Sequence, residues 1–391
     1  MTGADAIGPG VDGAVISADS HVTEPPEAYA DIDPRFADRA PTLVHLDGMG
    51  ATMLTDPGSP HQGRVPFSMI AGAGVPADEL GFSQGKRWEE LHHGGYDAAA
   101  RLLEQDRDGI AAEVLYPSVG MLLCNHPDFD YKQACFDAYN RWLAAWCAHA
   151  PDRLWGVGQS AMRSPEDGIA DLASIRELGL RGVMLPGVPA GEDYDHPAYD
   201  EFWEAAVDVG LPISFHILTG GAGGLASDAY RGPKMNSFLG IIRGNQDLLG
   251  TLIFGGVFER HPRLRVVCVE ADAGWAPHWM YRADHAYARH RNWLEVGTLS
   301  RLPSEYFREH VYLTFQDDWV AFGLVGDGPA DEGGGHPVGL ADDRLLWAND
   351  HPHSDSTWPD SQAMLTEHTA GMDPARRDRI LRANTAGLYG C

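Results

Sequence analysis

The chain has 391 residues, 44% of them apolar and 22% charged, enough apolar material for a sizeable folded core. Its 56 acidic against 29 basic side chains give a formal net charge of −27. Such a surface repels phosphate backbones and anionic lipid, and no apolar run approaches the ~18 residues of a membrane helix, so neither nucleic acid nor membrane is an expected partner.

Residues 1–10 lack the basic and apolar regions of a signal peptide. The five cysteines, Cys124, Cys135, Cys147, Cys268 and Cys391, are odd in number and form no Cys-x-x-Cys pair. Reduced thiols and a cytoplasmic location are therefore expected.

Short apolar strands are predicted at 14–19, 111–116, 153–159, 181–185, 211–216, 264–270, 310–315 and 343–348. Helical patterns fall between them at 97–107, 130–149, 165–178, 197–209, 247–260, 275–291 and 357–369, with 374–388 closing the chain. Ser164-Pro165-Glu166 and Asp195-His196-Pro197 are helix-start signals. Eight near-continuous apolar strands separated by helices indicate a parallel sheet closed into an α/β (β/α)8 barrel of the TIM type, one domain over residues 1–391.

Residues 30–95 break the rhythm. They are rich in Gly, Pro and Asp, with Met49, Met53, Phe67, Met69, Ile70 and Trp88 scattered among them. This stretch reads as an insertion after the first strand, folded over the barrel mouth or used as a homodimer arm. Further long loops over the C-terminal mouth are expected at 219–235 and 326–337. Their glycine runs match neither phosphate-binding pattern, Gly-x-x-x-x-Gly-Lys-Ser/Thr or Gly-x-Gly-x-x-Gly.

Polar residues collect at the strand ends. In a strand, residues i and i+2 point the same way, so Asp19 and His21 project together, with Glu24 one step beyond. His216, Glu270 and Asp350 end three later strands, and Asp350 is followed by His351 and His353. In a barrel these ends converge on one face. Each residue has a structural alternative: His216 as a hydrogen-bonded core residue, Glu24 and Asp350 as caps. Together, two imidazoles and several carboxylates repel one another unless a divalent cation sits among them.

Three segments carry a family resemblance: Ile16-Ser17-Ala18-Asp19-Ser20-His21-Val22-Thr23-Glu24-Pro25; Gly256-Val257-Phe258-Glu259-Arg260-His261-Pro262 with the strand after it; and Asn349-Asp350-His351-Pro352-His353-Ser354-Asp355-Ser356-Thr357-Trp358-Pro359. The chain resembles the amidohydrolase superfamily, in the branch that includes aminocarboxymuconate semialdehyde decarboxylase. The resemblance implies a (β/α)8 barrel with a metal at its mouth, Asp19, His21, His216 and Asp350 as ligands, and Asp350 doubling as the acid–base residue of hydrolytic members. Many relatives open with His-x-His where this chain has Asp19, and decarboxylating relatives often carry a His in place of Glu270. The set is thus richer in oxygen, which moves metal preference from zinc toward manganese or iron. Glu24 and Glu270 supply carboxylates for one ion or two.

The expected chemistry is water activation at a mono- or dinuclear site to cleave an acyl bond, whether amide, ester or thioester, of a small organic or acyl-CoA-type substrate. Asp350 takes the water proton, and His351 or His353 steadies the oxyanion. A large acyl group would account for the Met- and Phe-bearing insertion. The competing expectation is metal-dependent, non-oxidative decarboxylation of a small carboxylic acid. A barrel that only binds a ligand would have lost ligand positions, and all four are present. No Gly-x-Ser-x-Gly suggests a serine nucleophile.

Overall fold

A computed structural model describes residues 15–80, 85–220, 231–294, 296–325 and 339–390. Its strands in chain order are β1 (Val15–Val22), β2 (Thr42–Leu46), β3 (Gly50–Thr55), β4 (Gly63–Pro66), β5 (Ile110–Pro117), β6 (Leu154–Gln159), β7 (Gly182–Met184), β8 (Ile213–His216), β9 (Val266–Val269), β10 (Val311–Phe315) and β11 (Leu345–Trp347). Eight of them form one sheet in the order β1-β5-β6-β7-β8-β9-β10-β11, with every ladder parallel. The circle closes beyond β11, where Asp350 N–H donates to the Asp19 carbonyl (3.0 Å) and His21 N–H to the His351 carbonyl (2.7 Å). The expected (β/α)8 barrel is the fold, and its eight strands overlap the eight read from the sequence.

The barrel strands form because they are apolar runs that the helices cover, and nearly every barrel-strand residue is buried. Local signals set the helix ends. Asp97 accepts from Ala99 N and Ala100 N to start Ala98–Asp108, which Gly109 ends in the left-handed conformation at φ 70°. Ser164 caps Pro165–Glu177 and Asp128 caps Phe129–Cys147.

Within 30–95 the structure has more order than composition suggested. Strands β2, β3 and β4 form a separate antiparallel sheet. Met53 and Phe67 are fully buried, and the Phe67 ring meets Trp88 edge-on at 5.3 Å. Here the expectation of an acyl-binding surface needs correction, because these side chains fill a core. The run of glycines at 220–224 and the loop at 326–337 fall almost wholly outside the described residues.

No helix among the described residues is long and apolar enough to cross a membrane.

Candidate metal centre

Asp19 enters the mouth through an irregularity. Between Ser17↔Glu113 and Ser20↔Leu115, β1 uses one residue more than β5, a bulge that falls on Ala18 and Asp19. Bulges redirect side chains and recur next to active sites. Glu270 and Asp350, just past β9 and β11, both adopt left-handed backbone conformations, at φ 55° and 53°. That conformation costs a non-glycine residue about 1–3 kcal/mol and persists where surrounding structure enforces it. Asp350 is held there by its bond to Asp19, Glu270 by its N–H donated to Thr314 Oγ1 at 2.8 Å.

Their side chains meet in one volume. His21 Nε2 lies 3.5 Å from Asp19 Oδ1, 3.3 Å from Asp350 Oδ1 and 3.7 Å from Glu270 Oε2. His216 Nε2 lies 3.2 Å from Glu270 Oε2 and 3.7 Å from Asp19 Oδ1. His353 Nδ1 is 3.1 Å from Asp350 Oδ1. The donors form two overlapping groups, Asp19–His21–His216–Glu270 and His21–Glu270–Asp350–His353.

Hydrogen bonds outside the cluster fix the proton positions inside it. His21 Nδ1 bonds the Pro117 carbonyl at 2.9 Å and His216 Nδ1 the Ile217 carbonyl at 3.2 Å. A carbonyl only accepts, so each Nδ1 carries the hydrogen and each Nε2 presents a lone pair to the carboxylates. Both Nε2 atoms, both oxygens of Asp19 and of Asp350, and Glu270 Oε2 are buried without a hydrogen-bond partner. So many orphaned acceptors in one place fit a cation and little else. Atoms bound ~2.1 Å from a shared ion lie about 3.0–3.5 Å apart, and four of these six separations fall in that range, with two at 3.7 Å just beyond it.

The electrostatics agree. Burial, then Asp19, pushes the Glu270 carboxyl well above the usual range; burial, then Glu270 and Asp19, does the same to Asp350. Burial, then His353 and His216, drives His21 down, and burial with His216 brings His353 down to about 3. Burial and mutual repulsion push each group toward neutrality, and a divalent ion among them would favour the charged carboxylates.

Two predicted site residues are placed elsewhere. Glu24 Oε2 accepts from the N–H groups of Ser118 (3.1 Å) and Val119 (2.9 Å), and Oε1 from Gly120 (2.9 Å). Its oxygens are consumed by a helix N-terminus and it stands outside both donor groups, although burial raises its carboxyl to about 7. The His351 side chain turns away from the cluster, its Nε2 3.2 Å from Glu104 Oε2.

Two residues had not been singled out. Ser118 Oγ donates to the Val22 carbonyl (2.7 Å) and so accepts from His353 Nε2 (3.0 Å), which leaves His353 Nδ1 facing Asp350. Arg101, fully buried, bonds Glu113 at 2.5 Å and the carbonyls of His21 (2.9 Å) and His351 (3.1 Å). An arginine between Ala98-Ala99-Ala100 and Leu102-Leu103 was the available signal.

An eight-stranded α/β barrel with clustered metal-ligating side chains at the C-terminal ends of its strands defines the class. The amidohydrolase family profile matches residues 18–391, so the chain belongs to that family and is an enzyme of the amidohydrolase superfamily. It is 26% identical over 210 residues to 2-amino-3-carboxymuconate-6-semialdehyde decarboxylase of Dictyostelium discoideum, a match that covers 52% of this chain and 55% of that relative's length. Among solved structures, an amidohydrolase from Mycobacterium avium subsp. paratuberculosis K-10 superposes with a TM-score of 0.74 at 19% identity, covering 97% of this chain and 99% of that one. A dihydroxybenzoic acid decarboxylase from Polaromonas sp. JS666, with bound manganese and 2-nitroresorcinol, gives 0.62 at 19% identity over 97% of both chains. These comparisons overturn the expectation of acyl hydrolysis: the Dictyostelium relative is a decarboxylase, and so is the Polaromonas neighbour.

Proposed function

We propose that the protein is a metal-dependent, non-oxidative decarboxylase of a small carboxylic acid that carries a hydroxyl or carbonyl next to the carboxylate. The observation that carries this reading is the set of orphaned donors at the barrel mouth, taken with decarboxylases as relatives. Asp19, His21, His216, Glu270 and Asp350 would hold one divalent ion. Three carboxylates to two imidazoles favour manganese, the ion held by the Polaromonas neighbour. Bound there, the ion would draw electron density from the substrate carboxylate and its neighbouring oxygen.

The chain's own residues supply the rest. Side chains of Asp19, His21, His216 and Asp350 are fully buried, whereas His353 is 11% and Glu270 13% exposed. Substrate therefore meets the edges of His353 and Glu270 first. His353, fixed by Ser118, holds its Nδ1 3.1 Å from Asp350 Oδ1, within reach for proton transfer. When the bond to the carboxylate carbon breaks, carbon dioxide leaves and the electron pair stays on the substrate carbon. The Asp350–His353 pair delivers the proton that carbon takes up, and solvent replaces it.

The test is turnover of manganese-loaded protein in D2O with a panel of hydroxybenzoates and keto acids. Carbon dioxide release with one deuterium at the vacated carbon is expected. Hydrolysis of amides or thioesters with no carbon dioxide from any acid would overturn the reading.

A further inference from the structure

A second group of ligand-type side chains lies away from the mouth. It brings together His92, from the turn before helix Ala98–Asp108, Glu104 from that helix, and His351 from the loop after β11. His351 Nε2 is 3.2 Å from Glu104 Oε2, and His92 Nδ1 is 3.7 Å from Glu104 Oε1.

Hydrogen bonding leaves this group incomplete. His92 Nε2 lies 2.7 Å from the Ala73 carbonyl, which only accepts, so Nε2 carries a hydrogen and Nδ1 is the nitrogen turned toward the Glu104 carboxylate. His351 is 1% exposed, and neither its Nε2 nor Glu104 Oε2 has a hydrogen-bond partner despite their proximity. Glu104 Oε1 receives only a long bond, 3.4 Å, from Gly94 N. Gly94 leaves the space the carboxylate occupies, since a Cβ there would collide with Glu104 Oε2. The Trp358 indole walls the group, its ring centroid 5.0 Å from His92 and 5.3 Å from His351.

We infer that His92, Glu104 and His351 form a second divalent-cation site, of the zinc type, distinct from the barrel mouth. Two imidazole nitrogens and one carboxylate oxygen are a three-residue zinc set with a fourth position left for water, and ligand atoms ~2.1 Å from zinc would stand about 3.4 Å apart, close to the separations here. A nitrogen-majority set disfavours magnesium and calcium. The site has a structural consequence. The His351 carbonyl accepts from His21 N and from Arg101, so the residue after Asp350 is gripped through its backbone by β1 and through its side chain by the second ion. Zinc would thereby fasten the turn that carries Asp350 to the segment around His92 and to helix Ala98–Asp108.

The probe is zinc alone, added to chelator-stripped full-length protein, with bound metal counted by elemental analysis after dialysis. The wild type is expected to hold one equivalent more than His92→Gln/Glu104→Gln, whose substitutions are near-isosteric and lie at the partly exposed edge. Equal stoichiometry in the two proteins overturns the inference. A second measurement covers misfolding of that variant. His21→Ala/His216→Ala, which removes two of the three mouth imidazoles, should still bind one zinc whose X-ray absorption shows two imidazoles in its first shell. Loss of all zinc, or a site without two imidazoles, overturns the inference. Neither measurement depends on turnover, so failure to release carbon dioxide would count against the mouth chemistry only.

Discussion

The imidazole of His353 lies flat against that of His21, with ring centroids 3.7 Å apart and planes inclined by 21°. The two rings differ in what surrounds them. His21 has given its Nδ1 hydrogen to Pro117 and aims Nε2 into the cluster. His353 gives its Nε2 hydrogen to Ser118, aims Nδ1 at Asp350, and alone of the mouth imidazoles keeps an edge open to solvent. The stack therefore places a residue suited to proton transfer directly on one suited to hold a metal.

Replacing His353 should separate the two roles. His353→Asn is expected to keep the bound metal and to lower kcat by ~10²–10⁴-fold, the range for loss of a positioned acid–base group. Elemental analysis beside steady-state kinetics checks this. Loss of metal in proportion to activity would instead make His353 a ligand.

The carboxylates give a second contrast. Glu270→Gln and His216→Ala each remove a donor whose atoms converge on the cluster, and both should lose tightly bound metal on dialysis. Glu24→Gln should retain it, because Glu24 is spent on Ser118, Val119 and Gly120. Its effect should be on turnover, since a looser Ser118 holds His353 less well. Metal content of the three proteins decides the matter, and a metal-free Glu24→Gln would return Glu24 to the metal.

Much of this was legible in the sequence, for identifiable reasons. The barrel strands are apolar runs of a single character, Val266-Val267-Cys268-Val269 for example, so their period and burial can be read directly. Residues at strand ends inherit their placement from the barrel, which is why Asp19, His21, His216, Glu270 and Asp350 were found together. What escaped was whatever depends on side-chain partners across the fold. Glu24 looks like a ligand until the N–H groups of residues 118–120, almost a hundred positions away, are seen to occupy it. His351 and His353 are two residues apart, yet they face different sites. The small sheet was hidden because β2, β3 and β4 are short and lie among Gly and Pro, and because Met53 and Phe67 are apolar residues of a core that composition alone cannot locate.

Arg101 offers a test of stability. It joins β1, β5 and the loop after β11 through one buried guanidinium, and Gln105 supplies the other close bond to Glu113, at 2.8 Å. Arg101→Met leaves the Glu113 carboxylate buried without its cation, a change that typically costs about 3–5 kcal/mol. Adding Glu113→Gln should recover part of this by removing the stranded charge, but not the lost donors to His21 and His351. Denaturant midpoints of the two variants measure the difference. A double variant no more stable than Arg101→Met would show that the backbone contacts, rather than the ion pair, dominate.

The last prediction concerns acid stability and lies far from the mouth. Asp56, at φ 51° just after β3, accepts from Arg39 at 2.6 and 2.9 Å, from His126 at 3.0 Å and from Ser59. Burial alone would raise its carboxyl, but the hydrogen bonds from Arg39 and Ser59 outweigh it and hold the group down at about 2. A carboxyl depressed in the folded state stabilises the fold above its unfolded pKa of about 4, and that contribution is lost as pH falls toward 2. The shift corresponds to about 2 kcal/mol at neutral pH. Asp56→Asn should therefore be less stable than wild type by roughly that amount at pH ~7, with the gap closing between about pH 4 and pH 2. Urea unfolding across that range tests it. A gap that persisted at pH ~2 would mean that Asp56 acts through its turn geometry and not through its charge.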